Sequence, residues 1–292
     1  MTFEYPRAVV AALGLVAACF AGTTAAAHAV GAVPSDARIE AYLGALRAQL
    51  DPRAAAALDQ IDGLDRRLLA ARAYLRSRAV IDERWSWTRE QVECYAGSPL
   101  QHALDAEIAR VRAAFEARNP GYTLWVNPEV RSVELQLERW NANAGVGRAA
   151  QSVLDTVRTR VASREAPAVG SNAAVAWFAE MLRTTTPQPL PPLAAPGLSR
   201  HGRMQAVDFH VRKGDRTVAG PSQADVRSVW EAQGWSTRLA RAVRDASDRF
   251  EGPLATPNEP WHYEYRAAPG LAARAGDAAS PTRPPCRLTG PA

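Results

Sequence analysis

The chain is short of lysine, cysteine and long apolar runs, and each shortage removes a class of protein. Lys213 is the only lysine among 35 basic residues. The arginines are scattered and mixed with acids, as in Asp65-Arg66-Arg67 and around Glu107, Arg110 and Arg112. No basic stripe with interleaved aromatics is present, so nucleic acid is not an expected partner despite a net charge of +5. One uncharged apolar run stands out, residues 8–22, and it is short of the roughly 20 residues a membrane span needs. Gly-x-Ser-x-Gly is missing, so Ser199 has no nucleophile elbow. What remains is a globular composition: 292 residues, 47% hydrophobic and 22% charged. That suffices for one sizeable core, or for a catalytic domain with a smaller helical companion.

The N-terminal run follows Arg7 and leads into small residues ending in Ala27-His28-Ala29. An apolar core of that length with an A-x-A end reads as a secretory signal over 1–29. Two other readings stay open. Glu4 and a single arginine make a weak start, which leaves room for an uncleaved anchor. Val16-Ala17-Ala18-Cys19 loosely matches a lipobox, which would make the protein a lipoprotein lipidated at Cys19. The expected location is exported, periplasmic or extracellular, with membrane contact only in the anchored or lipidated case. Beyond the signal two cysteines remain, Cys94 and Cys286, and an even pair in an exported chain suggests a disulfide. Closing so long a loop would stabilise by up to roughly 5 kcal/mol. Two unrelated thiols are the alternative.

Apolar spacing predicts helices over 35–50, behind Asp51-Pro52 to about 61, and along Leu68, Ala71, Leu75 and Ala79. A further helix carries Leu104, Ile108, Val111 and Phe115 and closes at Asn119-Pro120-Gly121. The β-rich stretch 122–126 reads as a strand, and helices are expected over 129–143, 146–163 and 173–182. Five prolines in 184–199 exclude regular structure, and the segment's place just before His201 favours a loop bordering a site. Strands are expected at 206–211, 217–219 and 261–266. Helices are expected from Ser222 to Gly234 and over 236–250.

The chemistry concentrates near the C-terminus. His201 and Asp208 lie seven apart across a turn into a strand, and His262 follows Glu259 by three. Zinc takes imidazole nitrogen and carboxylate oxygen, and a catalytic site keeps three protein ligands plus a water. His201, Asp208 and His262 supply the three, and Glu259 is left as base toward that water. His210 competes as a ligand, since strand alternation puts it on the face of Asp208; a structural or supporting role is expected.

Spacing alone is a weak signal, and the flanking residues sharpen it. Ser199-Arg200-His201, Ala206-Val207-Asp208 and Glu259-Pro260-Trp261-His262-Tyr263 resemble the two signatures of D-alanyl-D-alanine carboxypeptidases of the vancomycin-resistance type. Their superfamily includes lysostaphin-like enzymes and the hedgehog signalling domain. The family pattern is Ser-x-His-x-x-Gly-x-Ala-x-Asp, then Glu-x-Trp-His. Upstream, 126–132 with Gln136 resembles the family's Ser-Gly-Tyr-Arg-Ser segment and its trailing glutamine. Gly234-Trp235 resembles the Gly-aromatic step ahead of the last motif. Met204 stands where the family has glycine, and Glu129-Val130 where it has Gly-Tyr.

The resemblance covers roughly 122–266 and implies one zinc ion and an α+β fold, a small antiparallel sheet bearing the metal and flanked by helices. It implies catalytic roles for Glu259 and Arg131, with substrate contacts from Arg131, Gln136, Ser199 and Trp261. The implied activity is hydrolysis of peptidoglycan stem peptides, as a D,D-carboxypeptidase or endopeptidase. A non-catalytic zinc-containing binding or signalling module of the same fold is the alternative. The expected organisation is a signal at 1–29, a helical region at 30–118, a catalytic domain at 119–268 and a tail at 269–292. The helical region could itself be a partner-binding module.

Overall fold

The computed structural model describes residues 35–268, which belong to one compact unit. The expected signal with Cys19 and the expected tail with Cys286 lie outside the described residues. Cys94 is disulfide-bonded.

Six helices come first: α1 Ser35–Arg47, α2 Pro52–Leu58, α3 Leu64–Ser77, α4 Ile81–Arg84, α5 Arg89–Tyr95 and α6 Pro99–Glu116. Strand β1 Thr123–Val126 precedes α7 Val133–Ala142, α8 Ala144–Ala162 and α9 Asn172–Thr184. Then follow β2 Ala206–Lys213, β3 Arg216–Ala219, α10 Trp235–Ala246, β4 Phe250–Glu251 and β5 His262–Tyr265. The fold is α+β with a small antiparallel sheet. No helix among the described residues is long and apolar enough to cross a membrane.

Caps set many of the boundaries. Asp51 accepts hydrogen bonds from the N–H groups of Arg53 and Ala54 ahead of a proline at the first helical position. Ser98, Ser132, Asn143 and Ser171 cap α6, α7, α8 and α9 in the same way. The Ser132 cap starts α7 later than the expected 129, which leaves Arg131 in the loop after β1.

Two expected helices are corrected. Ser222 makes no side-chain cap, and the stretch behind it winds as a 3-10 turn, Gln223–Asp225, followed by a π-helix, Val226–Glu231. The helix expected to reach 250 stops at Ala246. There the Ser247 hydroxyl donates to Glu107 on α6 at 2.7 Å and accepts from the Arg249 N–H at 3.1 Å. Phe250–Glu251 instead pairs with β5.

The sheet order is β1-β2-β5-β4, with β3 also paired to β2 and every pairing antiparallel. Alternation gives it two unlike faces. Leu124, Val207, Phe209, Val211, Tyr263 and Tyr265 are buried beneath α6 and α10. Trp125, Asp208, His210, Arg212 and Glu264 share the other face and keep partial exposure.

The buried side chains group across the expected boundary at 118/119 rather than along it. One cluster joins α1–α3 to α7–α9, from Ile39 to Leu198. The other joins α5, α6 and α10 to the sheet, from Trp87 to Tyr265.

Candidate metal centre

His201 sits in a 3-10 turn, Arg200–Arg203, that delivers the chain into β2. The turn ends at Met204, whose φ of 51° is the one positive value at a non-glycine residue among the described residues. A left-handed backbone of this kind favours glycine. Here methionine accepts that backbone while burying its side chain in the sheet core.

The turn is stitched to the N-terminal helices by residues 85–87. Ser86 donates from its N–H to the Gly197 carbonyl at 2.8 Å and from Oγ to the Ser199 carbonyl at 2.9 Å. Trp87 N–H donates to the Gly202 carbonyl at 2.9 Å, and the Val133 N–H donates to the Trp87 carbonyl at 2.9 Å. Gly202 is required by this closeness: a Cβ there would lie 2.2 Å from Ser86 Oγ and 2.7 Å from the Arg131 carbonyl oxygen. Nothing in the local sequence marks Ser86 as a support for the site. The proline-rich loop ends in the same knot, with Tyr74 donating to the Pro196 carbonyl at 2.9 Å.

Asp208 on β2 and His262 on β5 are direct partners in the ladder, so their side chains rise from the same face. His262 Nδ1 and Asp208 Oδ1 are 3.0 Å apart, and His201 Nε2 lies 3.5 Å from Asp208 Oδ2. The two imidazoles meet edge to face with centroids 5.0 Å apart. One donor atom from each of the three residues lies within 4.8 Å of the others, a spacing that can hold a metal ion. All three side chains are between 11 and 15% exposed.

The electrostatics suit a cation. Burial pushes the His201 pKa down to about 4, which keeps its imidazole neutral and its lone pair available. For Asp208, burial opposes ionisation. The His262 hydrogen bond, the neighbouring imidazoles and the Arg131 guanidinium outweigh it and hold the carboxyl below its usual range. Two neutral-capable nitrogens and one carboxylate oxygen form a donor set that fits zinc.

Glu259 flanks the group. Its Oε2 is 3.9 Å from His262 Nδ1, and Gln223 Nε2 donates to its Oε1 at 3.3 Å. Burial, against the pull of His262 and with the Asp208 charge adding to it, raises its pKa above the ordinary glutamate value. The Gln223 contact was invisible in the sequence, because a 3-10 turn brings it across from 36 residues away.

Arg131 also reaches Asp208, with its guanidinium 3.6 Å from Oδ2. Gln136 stands behind it. The buried amide donates to the Arg131 carbonyl at 2.6 Å and accepts from the Gly197 N–H at 3.0 Å. Its contacts therefore fix the loop that bears Arg131, rather than facing an open cleft. Ser199 contributes its backbone carbonyl to the turn, accepting from Gly202 N–H at 2.9 Å as well as from Ser86. Trp261 is buried against Trp230, centroids 5.8 Å apart. His210 stays outside the donor group and stands edge-on to Trp125 at 4.8 Å.

The arrangement can thus bind a divalent cation, hold a carboxyl ready to move a proton, and present a guanidinium to developing negative charge. Comparison of the chain with protein-family models, with curated proteins and with solved structures finds no match.

Proposed function

We propose that this protein is an exported zinc-dependent peptidase that hydrolyses peptidoglycan peptides, as a D,D-carboxypeptidase or a related endopeptidase. The observation that carries the reading is the convergence of His201, Asp208 and His262 with a fourth acid, Glu259, at 3.9 Å from His262. A plain metal-storage site has no use for an extra carboxyl with a raised pKa. The sequence resemblance supplies the substrate class.

His201, Asp208 and His262 would hold the ion. When bound, zinc supplies Lewis acidity that brings deprotonation of a water into the neutral pH range. The work of this chain's own residues follows from their positions. Glu259 takes a proton from the attacking water and returns it to the departing amine, a task suited to a carboxyl whose pKa lies above the usual range. Arg131 brings a fixed cation to the charge that develops on the carbonyl oxygen. Gln136 holds the Arg131 loop in place, and Gln223 orients Glu259.

Digestion of purified muropeptides by the zinc-loaded protein, with product masses, tests the reading. Loss of a terminal D-alanine identifies a carboxypeptidase, and cleavage within cross-links identifies an endopeptidase. A protein that binds zinc tightly and leaves every muropeptide intact would be a binding module instead.

A further inference from the structure

We infer that the open sheet face beyond the metal centre is a subsite for a carboxylate on an extended peptide, with Arg212 as the residue that recognises it. The inference rests on the peptidase reading and adds a substrate preference to it.

Side chains alternate along a strand, so Asp208, His210 and Arg212 point to one face of β2. Trp125 on β1 is the ladder partner of His210 and lies on that same face. The ladder between the strands runs without a break from Val126↔Phe209 to Thr123↔Arg212, so the face is continuous with the metal centre. The helices α6 and α10 cover only the opposite face.

Arg212 is held in place without being neutralised. Its guanidinium carbon lies 4.1 Å from the centroid of the Trp125 ring, a cation–π contact. Across the ring stands His210, edge-on at 4.8 Å. Two arginines close to the donor group are paired with acids: Arg131 with Asp208 at 3.6 Å and Arg200 with Glu264 at 3.0 Å. Arg212 has no carboxylate partner among the described residues. Its Nε is buried without a hydrogen-bond partner, while the residue as a whole keeps partial exposure. A planar guanidinium stacked on an aromatic ring is preorganised for an incoming carboxylate.

The spacing fixes where that carboxylate sits. Asp208 and Arg212 are four residues apart on one strand, about 13 Å at strand rise. A peptide lying extended on this face covers the distance in three to four residues. The subsite therefore reads a free carboxylate that far from the bond attacked.

The test uses two synthetic peptides ending in D-Ala-D-Ala, one with glutamate three residues ahead of the terminal bond and one with glutamine there. Zinc-loaded full-length protein is assayed for hydrolysis and, by calorimetry, for binding of each. The expected result is a kcat/KM roughly tenfold higher for the acid peptide, expressed mainly in KM, as one charge-assisted contact supplies. In Arg212→Ala the acid-to-amide ratio collapses to about one. Arg212→Gln, which keeps a polar group over Trp125, serves if the alanine variant folds poorly, with zinc content and thermal midpoint as controls. Equal rates for both peptides in the unaltered protein, or a ratio unchanged by either variant, overturn the subsite. Should neither peptide be cut, the carboxypeptidase reading falls and the binding ratio alone decides. A tenfold preference for the acid lost in the variants sustains the subsite, and equal or absent binding ends it.

Discussion

Asp208 and His262 stand opposite each other in the β2–β5 ladder, with 3.0 Å between Oδ1 and Nδ1. A strand pairing, not a loop, thus sets the spacing of two of the three donors, and His201 is added by a turn fastened to residues 85–87. The predictions below follow from that construction.

Purified protein should contain about one zinc per chain by elemental analysis. Chelation should lower the thermal midpoint, since an ion at 1,000 times its dissociation constant adds about 4 kcal/mol to stability. His201→Asn, Asp208→Asn and His262→Asn should each bring the stoichiometry close to zero. Full zinc content in all three variants would exclude this site.

Glu259→Ala should keep the metal and lose turnover by at least about 100-fold, the ordinary contribution of a general base. Its Oε2 is 3.9 Å from His262, close to the donor group without being one of the three. If zinc is lost instead, Glu259 is a ligand and the roles need reassignment.

Gln136→Ala removes the donor to the Arg131 carbonyl and the acceptor for the Gly197 N–H. Leaving those buried groups unpaired should cost about 2 kcal/mol in urea unfolding. Turnover should drop while zinc content stays, because the Arg131 loop loosens while the Ser86 and Trp87 hydrogen bonds still fasten the ligand turn. A variant with normal kcat would show that Arg131 needs no such support.

Gly202→Ala should destabilise the protein by about 1–3 kcal/mol and weaken zinc binding together, because the new methyl overlaps Ser86 and the Arg131 carbonyl. Competitive titration against a chelating dye measures the second effect. Unchanged zinc affinity in a destabilised variant would separate the turn from the site.

Acidity should weaken the metal-free protein through His201. Its pKa is about 4 in the folded chain, below the roughly 6.5 of an unfolded histidine. Between those values the unfolded chain holds more protons, so stability rises with pH across the window and falls as pH drops from 6.5 to 4. His210, held low by burial and by Arg212, adds in the same sense. Urea midpoints from pH 4 to 7 on chelated protein measure the slope. His201→Asn should flatten it, and an equal slope in that variant would assign the effect elsewhere.

The grouping of His201, Asp208 and His262 was legible because they sit in short local patterns whose flanking residues are distinctive. The helix marked by Asp51-Pro52 was legible for the same reason: the cap and the periodicity are local. What escaped was set by partners distant in the chain. The end of α10 is decided by Glu107, 140 residues from Ser247. Ser86 acquires its role only when residues 197–202 arrive beside it. The two-residue strand β4 has too little length for any period to register. Met204 could be noticed as a departure from glycine, but its left-handed backbone needed coordinates.

The two cores drawn from alternating stretches of chain bear on how the protein is made. Asp208 and His262 are 54 residues apart, and β5, the last strand described, completes the donor set. An emerging chain therefore has no three-donor group until β5 docks. Any ion held by all three donors would then be captured late, as folding completes.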